Sequence, residues 1–176
     1  KEALDLGAER VLTMDADFSH QPYYIPQLVA RSRAYDVIIG SRYVKGGGSL
    51  HCSVKRRALS WTANTVARLA LGLKAHDCTA GFRLYRREVL EEIGLPHIFS
   101  NGYSFLTEVL YKCQKQSWRI GEVPIIFEDR RRGTSKISRQ EIFRAIYTVL
   151  RLLVHRLLGL VPTQASRRER EKLWNK

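Results

Sequence analysis

The chain has 176 residues, which suffices for one domain with its own hydrophobic core but not for two of ordinary size. Thirty lysines and arginines outnumber seventeen aspartates and glutamates, and the formal charge of +13 favours an anionic partner such as a phosphorylated substrate, an acidic lipid surface or nucleic acid. Three widely spaced cysteines (Cys52, Cys78 and Cys113) argue against a disulfide framework or a zinc site and fit a reducing compartment, and no apolar run approaches the roughly 20 residues that span a bilayer.

The first half of the chain alternates short apolar runs with amphipathic segments. It opens as the end of a helix, and because a complete protein rarely starts there, we expect residues before Lys1 to be missing. In chain order the pattern predicts a helix that ends at Gly7, a buried parallel strand over residues 10–14, a helix over 22–33, a second buried strand over 35–41 and a glycine loop over 46–48.

The second half begins with a long helix over residues 53–73, for which Ser53 is a suitable N-cap. We then expect a turn over 77–81, a strand over 82–85, helices over 87–93 and 105–115, an edge strand over 119–127 that Pro124 interrupts, a basic loop over 130–136, a last helix over 140–160 and a charged tail over 167–176. This alternation predicts an α/β fold with a mostly parallel sheet between helices and some irregular pairing late in the chain.

Two carboxylates follow the first predicted strand, in the order Asp15-Ala16-Asp17. Ligands of open α/β sheets collect at the carboxyl ends of strands, and Mg²⁺ or Mn²⁺ takes one or two carboxylates together with phosphate oxygens. A solvated turn is an open alternative for such a triplet. A haloacid-dehalogenase-type phosphatase with Asp15 as nucleophile is less favoured, since Phe18 and Ser19 stand where that class has Gly-Thr or Gly-Ser.

Five segments in order resemble the dolichol-phosphate and polyprenol-phosphate mannosyltransferases, which belong to inverting glycosyltransferase family 2 and have the GT-A fold. The resemblance runs through residues 14–22, 40–47, 77–85, 102–108 and 121–136. Two departures accompany it. The family's opening strand and nucleotide-base loop have no counterpart, so we expect a GT-A (Rossmann-like) core that lacks the N-terminal half of its fold. Ser19 stands where many relatives have a glutamine as an extra metal ligand.

The resemblance implies metal-assisted transfer of a hexose, foremost mannose from GDP-mannose, onto a polyprenyl or dolichyl phosphate with inversion. UDP-glucose is an alternative donor. Alternatives of another class are an inactive fragment and a basic nucleic-acid-binding module. The last is disfavoured because five aromatic residues sit in apolar segments and are expected in the core: Trp61, Phe82, Tyr85, Phe105 and Phe127.

The resemblance also assigns site residues. It implies Asp15 and Asp17 as metal ligands, Mg²⁺ or Mn²⁺ as the cofactor, and Arg42, Arg56 and Ser60 as contacts of the acceptor phosphate. It implies donor binding by Asp15, Asp17, Arg130 and Lys136, and catalytic roles for Asp17, Arg42, Arg130 and Lys136. Arg83 is a further basic candidate for donor binding.

The electrostatics agree with these roles. A phosphate monoester has its second pKa near about 6 and needs no general base, so the protein must instead hold two anions together, which calls for arginine and lysine. We expect the basic loop with Arg130 and Lys136 to cover the diphosphate once the donor binds. Arg56 as an ordinary surface arginine stays open, and Asp77 and Glu108 are candidates either for sugar contacts or for pairing with an arginine.

The last helix is amphipathic. On a helical wheel Arg144, Arg151 and His155 fall on one narrow face opposite a broad apolar arc. An interfacial helix on anionic lipid and a core-packing helix with a solvated basic stripe both fit this pattern. We therefore divide the chain into a partial catalytic domain (residues 1–138), an amphipathic helix (139–161) and a charged tail (162–176). We expect it to act peripherally at the cytoplasmic face of a membrane, without a transmembrane segment.

Overall fold

The computed structural model describes residues 2–129 and 139–159. The helices are α1 (Glu2–Asp5), α2 (Ile25–Arg31), α3 (Val54–Leu71), α4 (Arg87–Glu92), α5 (Tyr103–Lys115) and α6 (Arg139–Leu157), with short 3-10 helices at Pro22–Tyr24 and Leu95–His97. The strands are β1 (Arg10–Thr13), β2 (Val37–Ser41), β3 (Gly48–Leu50), β4 (Arg83–Arg86), β5 (Ile120–Pro124) and β6 (Ile126–Glu128). The predicted basic loop and charged tail lie outside the described residues.

The main sheet has the strand order β1-β4-β2-β5. Strands β1, β2 and β5 run in one direction, and β4 lies antiparallel between β1 and β2. The expected α/β sheet between helices is therefore present, with its irregular pairing at β4. A second, two-stranded parallel sheet pairs β3 with β6. Strand β6 follows edge strand β5 closely, since β5 ends at Pro124 and β6 begins at Ile126.

The core lies on both faces of the main sheet. Val37, Ile38 and Ile39 of β2 are fully buried, since β2 is flanked by strands on both sides and packed on both faces. One hydrophobic cluster joins Val37 and Ile39 to α3, α5 and α6, and another joins Ile38 to α2. The expectation of a buried parallel strand at β1 is wrong, because β1 is an edge strand with an antiparallel partner and its Arg10 and Thr13 are exposed.

Long helix α3 forms as its sequence predicts. The Ser53 side chain accepts a hydrogen bond from the backbone N–H of Arg56 at 3.3 Å, and Gly72 ends the helix in the left-handed conformation with φ of 64°. The expected glycine loop is partly wrong, since Gly48 already begins strand β3. A side chain at Gly47 would place its Cβ 2.5 Å from the carbonyl oxygen of Ser41, so only glycine lets this segment pass so close to the end of β2.

The two long helices α3 and α6 pack against each other and carry apolar side chains on their outer faces. The predicted core position of Trp61 is wrong, because its side chain is 57% exposed on α3. The exposed apolar residues of the pair are Val54, Leu59, Trp61, Val66 and Leu69 on α3 and Ile142, Phe143, Ile146, Tyr147, Leu150, Val154 and Leu157 on α6.

The basic stripe expected on the outside of α6 is largely turned inward. Arg151 and His155 are partly buried, whereas Arg144 is exposed. The guanidinium of Arg151 donates to Glu108 of α5 at 2.5 Å and lies 4.5 Å from the ring of Phe99, which explains its inward direction. Within residues 2–129 and 139–159, no helix combines the length and the apolar character that crossing a bilayer takes.

Candidate active site

The turn after β1 presents the two expected carboxylates. The Asp15 side chain is 53% exposed, and Asp17 is partly buried. The backbone N–H of Ser19 donates to Asp17 Oδ1 at 3.1 Å, and the Ser19 hydroxyl binds the same oxygen. Ser19 is fully buried, so it orients the Asp17 carboxylate from inside the turn.

His20 lies beneath this turn. Its Nδ1 accepts the backbone N–H of Asp15 at 2.9 Å and lies 3.9 Å from Asp15 Oδ2. Burial lowers the pKa of His20, although the carboxylates of Asp15 and Asp17 oppose this shift. The imidazole is therefore neutral near pH 7, which leaves Nδ1 able to accept the hydrogen bond.

Arg42 follows β2 and is held by Asp77. Its Nε donates to Asp77 Oδ2 at 2.8 Å, and its Nη2 donates to Asp77 Oδ1 at 2.9 Å and to Thr79 Oγ1 at 2.8 Å. Asp77 has no exposed surface, and the Arg42 side chain is 15% exposed. In the described part of the chain, Nη1 of Arg42 has no hydrogen-bond partner, so this nitrogen is the one that remains for a ligand.

Arg56 and Ser60 share the inner face of α3, as their spacing predicts. Arg56 Nη1 donates to Asp129 Oδ2 at 2.6 Å, just beyond β6. The Ser60 hydroxyl lies 2.9 Å from the hydroxyl of Tyr43, the residue after Arg42. Arg56 is thus more than a solvated surface arginine, since its guanidinium joins α3 to the small sheet.

The ring of Phe127 connects the carboxylate turn with the arginine. Its centroid lies 5.6 Å from that of His20, edge to face, and 5.6 Å from Cζ of Arg42. The charges of four residues act on the pKa of His20: Asp15, Asp17, Arg42 and Asp77. The expected meeting of carboxylates and arginine at one edge of the sheet is therefore present in the fold.

Arg83 is enclosed in the core instead of being presented to a ligand. Its side chain is fully buried, and its guanidinium donates to the carbonyl oxygens of Ala80 at 2.7 Å, Cys78 at 2.8 Å and Leu106 at 2.8 Å. The geometry does not support the predicted donor contact, because these carbonyl groups occupy the guanidinium inside the core. Arg83 instead fixes the loop that carries Asp77.

The remaining predicted site residues divide into two groups. Asp77 and Glu108 both pair with arginines, Arg42 and Arg151, so the pairing alternative describes them in this structure. Arg130 and Lys136 lie outside the described residues, and their roles stay predictions.

The carboxylate turn offers two acidic ligands to a divalent cation, Asp15 and Asp17. Among residues 2–129 and 139–159, no group of three or more His, Cys, Asp or Glu side chains is placed to hold a metal. Asp15 and Asp17 alone suit Mg²⁺ or Mn²⁺ bound mainly through substrate phosphates, because such sites use one or two carboxylates and complete their coordination with phosphate and water. The residues fit a cation that arrives with a diphosphate.

A cavity of about 680 Å³ opens beside Asp15 and Gly81. Its walls are mostly apolar and come from β1, β4, α5 and the start of α6, including Val11, Tyr85, Tyr103, Leu106, Val109 and Glu141. This volume is typical of small-molecule sites, and Asp15 is the one residue of the carboxylate pair that lines it.

Sequence reasoning missed several residues of the site. His20 lies inside a motif that the resemblance covers, yet nothing marked it as buried. Phe127 was assigned to the core, but it is only partly buried, and its ring lies near both His20 and Arg42. Asp129 and Glu122 lie in the matching segment 121–136 but had no predicted role. Glu122 accepts the backbone N–H groups of His76 at 2.9 Å and Asp77 at 3.1 Å and so supports the Asp77–Arg42 pair.

Comparisons with known proteins agree with this architecture. The model of the family described as glycosyl transferase family 2 matches residues 7–94. An undecaprenyl-phosphate mannosyltransferase of Micrococcus luteus is 39% identical over 148 residues, which cover 84% of this chain and 61% of that protein. A polyprenol monophosphomannose synthase of Mycolicibacterium smegmatis is 42% identical over 144 residues, 81% of this chain and 54% of that protein.

Solved structures share the fold. Glucosyl-3-phosphoglycerate synthase of Mycobacterium tuberculosis, in complex with phosphoglyceric acid, matches with a TM-score of 0.56 at 17% identity and covers 82% of this chain and 50% of that one. The same enzyme in complex with uridine diphosphate gives a TM-score of 0.54. The expected GT-A fold and the expected family are thereby confirmed, and the chain spans between 54% and 61% of the length of the two curated relatives.

Proposed function

This chain belongs to glycosyl transferase family 2, and on that premise we propose that it forms part of an enzyme that transfers a hexose from a nucleotide sugar to a polyprenyl phosphate. The observation that carries the proposal is the meeting of the Asp15–Asp17 turn with Arg42 across Phe127. Two anion-binding elements, one suited to a metal-bound diphosphate and one to a phosphate, are what such a transfer requires. The names of the two curated relatives support the same acceptor class and favour mannose as the sugar.

The acceptor side consists of Arg42, Arg56 and Ser60. Asp77 fixes the plane of the Arg42 guanidinium through two hydrogen bonds, so Nη1 is presented in one direction rather than many. The Arg56 guanidinium and the Ser60 hydroxyl approach from the inner face of α3. These groups hold the dianionic phosphate, whose oxygen is nucleophilic without a general base.

The donor side consists of Asp15 and Asp17. They would hold Mg²⁺ or Mn²⁺, whose charge stabilises the nucleoside diphosphate as it leaves. The phosphate oxygen forms a bond to the anomeric carbon while the bond from that carbon to the diphosphate oxygen breaks, and the electron pair departs with the diphosphate. Because this is a direct displacement, an α-linked donor gives a β-linked product. Arg130 and Lys136 are proposed to cover the diphosphate.

The membrane surface is the proposed source of the acceptor, on the cytoplasmic side. The apolar outer faces of α3 and α6 support this. Trp61, Leu69, Phe143 and Leu157 are exposed there, and contact with lipid would remove their apolar surface from water. Lys55, Arg57 and Arg144 are exposed on the same helices and suit anionic headgroups. Because α3 also carries Arg56 on its inner face, a lipid phosphate at this surface lies close to the site.

The test is an assay of the full-length protein with radiolabelled GDP-mannose or UDP-glucose and a polyprenyl phosphate. We expect label in the lipid fraction with GDP-mannose, and a decrease in kcat of roughly 100-fold or more in Asp17→Ala and Arg42→Ala. Label transferred from UDP-glucose alone would identify UDP-glucose as the donor. Wild-type protein that labels no lipid from either donor would contradict the proposal.

A further inference from the structure

We propose that His20 is a positioning residue, which sets the direction of the Asp15–Asp17 turn and its distance from Arg42. The inference rests on the proposed function, because it concerns the same cleft. It adds a residue that the sequence motifs leave without a role.

The first support is the enclosure of the ring. His20 is 4% exposed, and its imidazole is stacked on Phe82 with centroids 5.1 Å apart and an interplanar angle of 20°. Its other neighbour is Phe127, 5.6 Å away at 70°. Phe82 leads into β4 of the main sheet, whereas Phe127 belongs to β6 of the small sheet, so the ring is wedged between the two sheets.

The second support is the hydrogen bond from Asp15. The N–H of this residue lies just beyond the end of β1, where strand pairing has stopped, and His20 Nδ1 accepts it at 2.9 Å. Without that acceptor the amide would have to turn toward another partner, and the Asp15 carboxylate would turn with it. The side chain of His20 therefore supplies the hydrogen-bond acceptor that a neighbouring strand would supply within a sheet.

The third support is the path to Arg42. The rings of Phe127 and His20 pack in a T-shaped arrangement, and the Phe127 centroid lies 5.6 Å from Cζ of Arg42. The backbone also connects these parts, because the N–H of Glu128 donates to the carbonyl oxygen of Ser19 at 3.2 Å. A displacement of the His20 ring thus changes the separation between the carboxylate turn and Arg42.

A histidine that only fills space in the core is the competing explanation, and two substitutions separate it from positioning. His20→Phe keeps an aromatic ring of similar size but removes the acceptor. His20→Asn loses the ring but keeps an acceptor, because Oδ1 of asparagine is as many bonds from the backbone as Nδ1 of histidine. Packing and hydrogen bonding are therefore removed one at a time.

The experiment measures Mn²⁺ affinity of the full-length protein by calorimetry, with and without GDP, together with the melting temperature. We expect His20→Phe to melt within a few degrees of wild type and to lose roughly 10-fold or more in Mn²⁺ affinity, as is common when a ligand loses the partner that orients it. His20→Asn is expected to melt lower but to bind Mn²⁺ nearly as wild type does. His97→Phe, at an exposed position, serves as the matched control and changes neither quantity.

The opposite order of affinities, with His20→Asn weaker than His20→Phe, shows that only packing matters and overturns the inference. Asp17→Asn separates this failure from a failure of the proposed function. If Asp17→Asn abolishes Mn²⁺ binding while His20→Phe binds normally, the role of His20 alone is overturned. If wild-type protein binds no Mn²⁺ even with GDP, the metal-assisted mechanism and the role of His20 fall together.

Discussion

The Asp77 carboxylate accepts two hydrogen bonds from the Arg42 guanidinium, from Nε at 2.8 Å and from Nη2 at 2.9 Å. It accepts a third from the backbone N–H of Arg42 at 3.1 Å. The two residues lie 35 positions apart in the sequence. The pair connects the end of β2 with the loop before β4 at the point where the acceptor phosphate is proposed to bind.

Asp77→Asn is expected to destabilise the protein strongly. The substitution leaves the guanidinium of Arg42 mostly buried without its counter-charge, and the loss of one partner of such a pair costs about 3–5 kcal/mol. Urea denaturation followed by circular dichroism measures the change. Asp5→Asn, on the exposed surface of α1, is the control and should stay within about 0.5 kcal/mol of wild type. A loss below about 1 kcal/mol in Asp77→Asn would show that Arg42 is not held by this pair.

Glu108 should make stability depend on pH in the acid range. Burial by itself raises the pKa of Glu108, but hydrogen bonds from Ser100 and the charge of Arg151 outweigh it, so the pKa lies below its ordinary value. The ion pair therefore contributes fully above the unfolded-state pKa and is lost as pH falls through the lower folded-state pKa.

Free energies of unfolding measured from pH 7 down to pH 3 test this expectation. The Glu108→Gln variant is expected to start less stable at pH 7 and to lose less on acidification than wild type. Glu88→Gln, in the first turn of α4, is the control and should leave the slope unchanged. Equal slopes for wild type and Glu108→Gln would mean that the pair with Arg151 does not stabilise the fold.

Arg56→Ala should weaken binding of the acceptor and leave binding of the donor unchanged. The loss of one charge-assisted contact to phosphate is expected to raise the KM for a short-chain, water-soluble polyprenyl phosphate about tenfold, with the donor KM unchanged. Arg57→Ala is the matched control, since Arg57 is the next residue on α3 but is exposed. If both variants raise the acceptor KM equally, Arg56 acts only through the general positive charge of the helix.

The outer faces of α3 and α6 should bind anionic lipid. Sedimentation with phosphatidylglycerol vesicles is expected to pull down wild-type protein, and the double variant Leu69→Glu, Leu157→Glu is expected to stay largely in the supernatant. Both side chains are well exposed, so the folded structure should tolerate the change. Leu6→Glu introduces the same charge at another exposed leucine and should not alter binding. Unchanged sedimentation of the double variant would contradict the proposed lipid surface.

The position of the carboxylate turn was predictable because its signals are local. The apolar run over residues 10–14 ends directly before Asp15, and the caps of α3, Ser53 and Gly72, act within a few residues of the helix ends. Motif order then identified the family without any contact information. Such features depend on the chain immediately around them, and the sequence reports them directly.

Partners distant in the chain were decided by the tertiary structure alone. Periodicity on α6 showed that apolar and basic residues are segregated, but which side faces inward depends on Glu108, which belongs to α5 and binds Arg151. The burial of Arg83 likewise depends on carbonyl groups of Cys78 and Leu106, which only the fold brings together. The physical reason is that a charged side chain enters the interior only where another segment supplies matching charge or acceptors, and a local pattern carries no information about that segment.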